Sequence, residues 1–160
     1  MLKVQLICVG KLKERFYQQA CQEYQKRLSS YCQLTVVELP EERLPTNPSR
    51  TQIEAALEKE GAAIRGKLPP GASVVCLCVE GKEYSSPQLA QLVQKWEQGP
   101  GKYLVFVIGG SYGLAQGVKE EAWLQLSMSP MTFPHHLARV MVLEQIYRAF
   151  KLNEGSSYHK

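Results

Sequence analysis

The 160 residues suit one compact domain. A composition 44% hydrophobic and 21% charged belongs to a chain with a real core and excludes a disordered or low-complexity protein. Nineteen Lys and Arg against 15 Asp and Glu give +4, which permits a polyanionic partner without demanding one. The excess sits early: Lys3, Lys11, Lys13, Arg15, Lys26 and Arg27 face only Glu14 and Glu23 within the first thirty residues. A solvated helix face explains this as well as a phosphate-binding surface does.

Apolar runs alternate with helical patterns, which predicts an α/β domain with a mainly parallel sheet. Leu2 to Val9 reads as a buried strand ended by Gly10. It is far too short to span a membrane and lacks the features of a secretory signal, so a cytoplasmic protein is expected. Leu12, Phe16, Ala20, Tyr24 and Leu28 then mark a helix stripe. Leu34 to Leu39 is a second strand, and the proline-bearing stretch Pro40 to Pro48 is a loop. Ser49 or Thr51 caps the next helix, which runs to about Gly66, before the break at Leu68-Pro69-Pro70-Gly71.

Ser73 to Val79 is a third strand, with a turn expected at Glu80-Gly81-Lys82. Ser85 or Ser86 caps a helix opened by Pro87 and closed by Gly99-Pro100-Gly101. Tyr103 to Ile108 is the most strand-like stretch and should be central. Gly109-Gly110-Ser111-Tyr112-Gly113 follows it, then a short segment and a fifth strand, Trp123 to Ser127. Pro134 opens a long final helix to about Lys151, with apolar residues on more than one face, as expected of burial against both the sheet and a second subunit. The five cysteines have neither zinc-site nor CxxC spacing and read as buried reduced thiols.

In open α/β sheets, ligands bind outside the carboxyl ends of strands. Three such ends carry loop-forming residues here: Glu80-Gly81, Gly109 to Gly113, and Ser127 to Phe133. If their strands are neighbours, the loops converge on one pocket where glycines admit backbone groups close to a ligand. The GGSYG loop alone reads equally well as a tight turn, and it is neither a dinucleotide fingerprint nor a Walker loop. No metal is expected, because adjacent His135 and His136 diverge on a helix and no HExxH or Cys/His set is present. A GxSxG hydrolase elbow is likewise missing.

Several residues taken together carry a specific resemblance. Leu2 to Val4, Val9-Gly10-Lys11-Leu12-Lys13, Val105 to Ser111, Met131-Thr132-Phe133-Pro134-His135, Arg139-Val140, Glu144 to Ala149 and Tyr158-His159-Lys160 occur in order across nearly the full length. With them the chain closely resembles the bacterial ribosomal RNA large-subunit methyltransferase H family. The resemblance implies a SPOUT fold: a parallel α/β sheet with a C-terminal trefoil knot, forming a homodimer. It also implies transfer of a methyl group from S-adenosyl-L-methionine to N3 of a pseudouridine of 23S rRNA, in assembled ribosomes.

Carried over by position, the cofactor contacts fall on Leu77, Gly109, Met128, Ser129, Pro130, Met131, Thr132 and Phe133. His135, Tyr158 and His159 become candidates for positioning the base or handling its proton, the tail reaching into the partner's site. Lys11, Lys13, Arg15 and Lys160 are candidate RNA contacts, while Arg139 and Arg148 either bind phosphate or pair with Glu144. A non-catalytic ribosome-binding factor on the same scaffold is the alternative, and it needs no cofactor pocket.

Overall fold

The computed structural model describes residues 1–99, 101 and 103–159. Five strands, β1 (Lys3–Val9), β2 (Gln33–Leu39), β3 (Ser73–Glu83), β4 (Tyr103–Ile108) and β5 (Leu124–Ser127), form one parallel sheet in the order β2-β1-β4-β3-β5. Helices α1 (Arg15–Leu28), α3 (Ser86–Gln98) and α5 (His135–Asn153) cover one face; α2 (Arg50–Arg65) and α4 (Gln116–Glu121) cover the other. Alternation along β1 divides its side chains between the layers: Val4, Leu6 and Cys8 face α1 and α5, while Ile7 and Val9 face α2 and α4. β4 lies third of five and is buried on both faces, as its uninterrupted apolar run predicts.

The helix starts are local chemistry. Ser49 and Ser85 are the caps: each accepts from the backbone N–H three residues on, and Gln52 and Gln88 reciprocate as capping boxes. Pro87 therefore stands in the second helical position, not the first.

The expected turn at Glu80 to Lys82 is a correction. β3 runs on to Glu83 with its register shifted, so that Leu77 and Lys82 both oppose Leu126. Gly81 makes this possible, because a Cβ there would lie 2.7 Å from the Gln125 carbonyl. Trp123, expected to open β5, instead precedes it, half-exposed and packed edge-on against Trp96.

α5 packs between α1 and α3, and none of its residues is fully exposed. Part of its wide apolar girth is thus absorbed within the chain. Its first residue, His135, stands over Gly10 at the end of β1, although β5 lies at the far edge beyond β3. Residues 128–134 must therefore cross the carboxyl ends of β3 and β4. Three strand intervals span about 14 Å, within reach of seven extended residues.

Candidate functional site

The three loop-bearing strand ends are neighbours, because β4, β3 and β5 are consecutive in the sheet. Between their exits lies a cavity of about 640 Å³, within the range of pockets that hold a small ligand. Its walls are Leu77 to Glu80 from β3, Ile108 to Leu114 after β4, and Met128, Ser129, Met131, Thr132 and Phe133 after β5. Pro134, His135, Ala138 and Lys119 complete it. Seven of the eight residues expected at a cofactor are in this lining, and Pro130 stands outside it.

Each wall has a local cause. Gly109 has no room for a side chain: a Cβ would fall 2.3 Å from the Gly113 carbonyl oxygen. Gly113, at φ +83°, closes the turn by donating its N–H to the Gly110 carbonyl at 3.1 Å. The opposite wall is braced by its serines. Ser127 Oγ donates to the Ser129 carbonyl at 3.0 Å, and Ser129 Oγ accepts from Met131 N–H at 3.0 Å. Met131 is left 72% exposed at the rim.

His135 is fixed by packing. Gly10, at φ +103°, leaves open the space a Cβ would fill 3.2 Å from His135 Cε1. Burial holds the His135 imidazole below its ordinary 6.5, His136 and Arg139 add to this, and Glu41 and Glu14 push back. This favours the neutral ring, the form able to accept a proton.

Arg139 is a correction to the expected set. Its side chain is 2% exposed, with Nη1 donating to Glu38 Oε2 at 2.5 Å and Nη2 to the Gly10 carbonyl at 2.6 Å. One helical turn after His135, it clamps α5 to the ends of β1 and β2 and has no surface to offer a phosphate. Its partner is Glu38, not Glu144. Burial alone would raise the Glu38 carboxyl, but the bonds from Arg139 and from Leu12 N–H prevail and hold it below its usual range.

Arg148 does pair with Glu144, Nε to Oε1 at 2.8 Å. It gathers the tail there. Arg148 Nη1 donates to His159 Nδ1 at 3.0 Å, and Tyr158 OH donates to Glu144 Oε2 at 3.0 Å. Because arginine cannot accept, a neutral His159 carries its proton on Nε2. Burial and the bond to Glu144 push the Tyr158 hydroxyl up to about 12, so it acts as a donor and not a base.

Along α5, Glu144 and Arg148 follow His135 by about 14 and 20 Å of helical rise, and neither Tyr158 nor His159 is in the cavity lining. The structure thus does not bring Tyr158 and His159 to the cavity of their own chain. Lys11, Lys13 and Arg15 are exposed beyond the end of β1, on the same side of the sheet as the cavity. Lys160 lies outside the described residues. Sequence reasoning missed Lys119, which reaches the cavity from α4 and donates to Glu80 at 2.7 Å, and Glu41, whose carboxylate accepts from Ser111 N–H at 2.8 Å. Neither sits in a motif; only the fold brings them in.

A protein-family profile described as "Predicted SPOUT methyltransferase" matches residues 2–159. The chain belongs to the SPOUT methyltransferase family. Its five parallel strands with helices on both faces agree with that membership. A SPOUT methyltransferase needs a seat for a methyl donor. Among the described residues no group of three or more His, Cys, Asp or Glu could hold a metal ion, and no helix is long and apolar enough to cross a membrane.

Proposed function

We propose that this SPOUT methyltransferase transfers a methyl group from S-adenosyl-L-methionine to N3 of a pseudouridine of 23S rRNA in the ribosome. It would act in the cytoplasm as a homodimer whose 128–134 crossing is part of a trefoil knot. The observation that carries the reading is the convergence of three adjacent strand exits on one cavity, with the His135 imidazole in its wall. S-adenosyl-L-methionine supplies an already activated methyl group on a sulfonium. Leu77, Gly109 and the Met128–Phe133 loop would hold it, largely through main-chain atoms.

What remains for the protein is orientation and the removal of one proton. Holding the nitrogen in line contributes on the order of 7–11 kcal/mol in favourable cases. His135 Nδ1 or Nε2 would accept the N3 proton as the new N–C bond forms, a role worth roughly 10²–10⁴-fold. Tyr158 and His159, outside the cavity lining in their own chain, would serve the partner's cavity, with Tyr158 as a hydrogen-bond donor to the base. Lys11, Lys13 and Arg15 would bind rRNA phosphates on the cavity side, with Arg148 of α5 and Lys160 of the tail contributing.

The test is mass mapping of 23S rRNA from cells lacking the protein. One methyl group on one pseudouridine should be missing and should return with a plasmid copy. Unchanged rRNA methylation contradicts the reading. Calorimetry distinguishes the rival: absence of S-adenosyl-L-methionine binding would favour a ribosome-binding factor.

A further inference from the structure

We propose that Glu41, on the loop after β2, is a positioning residue of the methyl-transfer site, locking the Gly109–Gly113 wall and holding a negative charge beside His135. The inference builds on the role proposed for His135 but rests on separate geometry. Glu41 lies outside the three strand exits that form the cavity, yet its carboxylate spans two of the site's fixed points. Oε1 accepts from Ser111 N–H at 2.8 Å, in the middle of the glycine loop. A Cβ on Gly110 would fall 2.7 Å from that same oxygen, so the glycine is what lets the carboxylate lie on the loop. Oε2 faces the other way. The point above Gly10 where a Cβ would stand is 3.7 Å from Glu41 Oε2 and 3.8 Å from His135 Nδ1.

The carboxylate is not free to wander. The next residue, Glu42, donates its N–H at 2.8 Å to Glu60, a buried residue of α2. The loop is thus pinned from both sides, to α2 through Glu60 and to the cavity wall through Glu41. A half-buried negative charge near an imidazole favours the imidazolium that proton acceptance creates. The charged or titratable groups facing His135 are His136 and Arg139 from α5, Glu14 before α1, and Glu41. His136 and Arg139 oppose its protonation. Glu14 already lies 3.4 Å from His136, so Glu41 is the carboxylate left to serve His135.

Two substitutions divide the roles. Glu41→Gln keeps an oxygen for Ser111 N–H but removes the charge; Glu41→Ala removes both. In the full-length protein, the His135 ring is followed by NMR across pH and assigned by the resonance that His135→Gln deletes. The His135 midpoint should fall in both Glu41 variants. Affinity for S-adenosyl-L-methionine by calorimetry should be retained in Glu41→Gln and fall several-fold in Glu41→Ala. In Glu41→Gln, kcat should drop on the order of tenfold with KM for the donor unchanged, less than loss of the base itself would remove. An unchanged His135 midpoint in Glu41→Gln overturns the electrostatic role, and unchanged affinity in Glu41→Ala overturns the loop role. If the wild type fails to bind the donor, the proposed function falls, while the His135 midpoint still decides the pairing with Glu41.

Discussion

Replacing Arg139 by Met should destabilise the protein while leaving its surface charge toward RNA intact. The side chain is 2% exposed and carries two short hydrogen bonds, so the loss can be apportioned. The Gly10 carbonyl would be left buried without its donor, at a cost of about 1–3 kcal/mol. Glu38 loses less, about 0–1 kcal/mol, because its side chain is 37% exposed and keeps the bond from Leu12 N–H. Met fills most of the space, so no large cavity is added, and the total is about 1–4 kcal/mol. For a domain of this size that lowers Tm by roughly 2–16 °C.

Urea unfolding at several pH values provides the assay. The Glu38 carboxyl titrates below its ordinary 4.5 in the folded chain. Its contribution is therefore complete above that ordinary value and is lost as pH falls through the lower folded one. The Arg139→Met penalty should be largest near neutrality and shrink in acid toward the part due to Gly10. Arg139→Lys should recover only part of the loss, since an ammonium cannot reproduce the fork. An Arg139→Met protein within about 0.5 kcal/mol of wild type, with RNA affinity reduced instead, would refute the clamp and restore Arg139 to the RNA surface.

Gly109→Ala places a methyl against the Gly113 carbonyl; it should cost about 1–3 kcal/mol and abolish donor binding by calorimetry, and undiminished affinity would show that the loop is not a wall of the site. Burial pushes Cys8, Cys32 and Cys76 up to about 12 and raises Cys21 and Cys78 as well. Native alkylation at pH 8 should therefore be slow, with half-exposed Cys78 reacting first and all five labelled in urea; rapid native labelling of the other four would contradict their burial. Deleting Tyr158 to Lys160 should remove methylation yet change unfolding free energy by no more than about 1 kcal/mol, because the ties to Glu144 and Arg148 are part-exposed. A fully active truncated protein would remove the tail from the mechanism.

Much of this was legible in the chain because the signals were local. Apolar runs of strand length, candidate serine caps before two helices and loop residues after three strands mark the elements and the site wall. What was not legible depended on distance through space. Arg139 looked like a surface cation because nothing in its helix shows that Glu38 and the Gly10 carbonyl, a hundred or more residues away, lie beneath it. Glu80 to Lys82 looked like a turn because glycine usually marks one, yet here Gly81 serves a close approach to the Gln125 main chain. Lys119 and Glu41 carry no motif at all, and only the fold brings Lys119 into the cavity and Glu41 against its wall. The wide apolar girth of α5 indicated burial on several sides, but periodicity cannot tell neighbouring helices from a second subunit.

The most direct measurement is a crystal structure of the protein with S-adenosyl-L-methionine. The adenosyl group should lie between Gly109 and the Met128–Phe133 loop beside Leu77, with the methyl directed toward the side of the cavity that His135 borders. A donor bound elsewhere on the sheet, or a methyl pointing away from His135 into closed protein, would contradict the account.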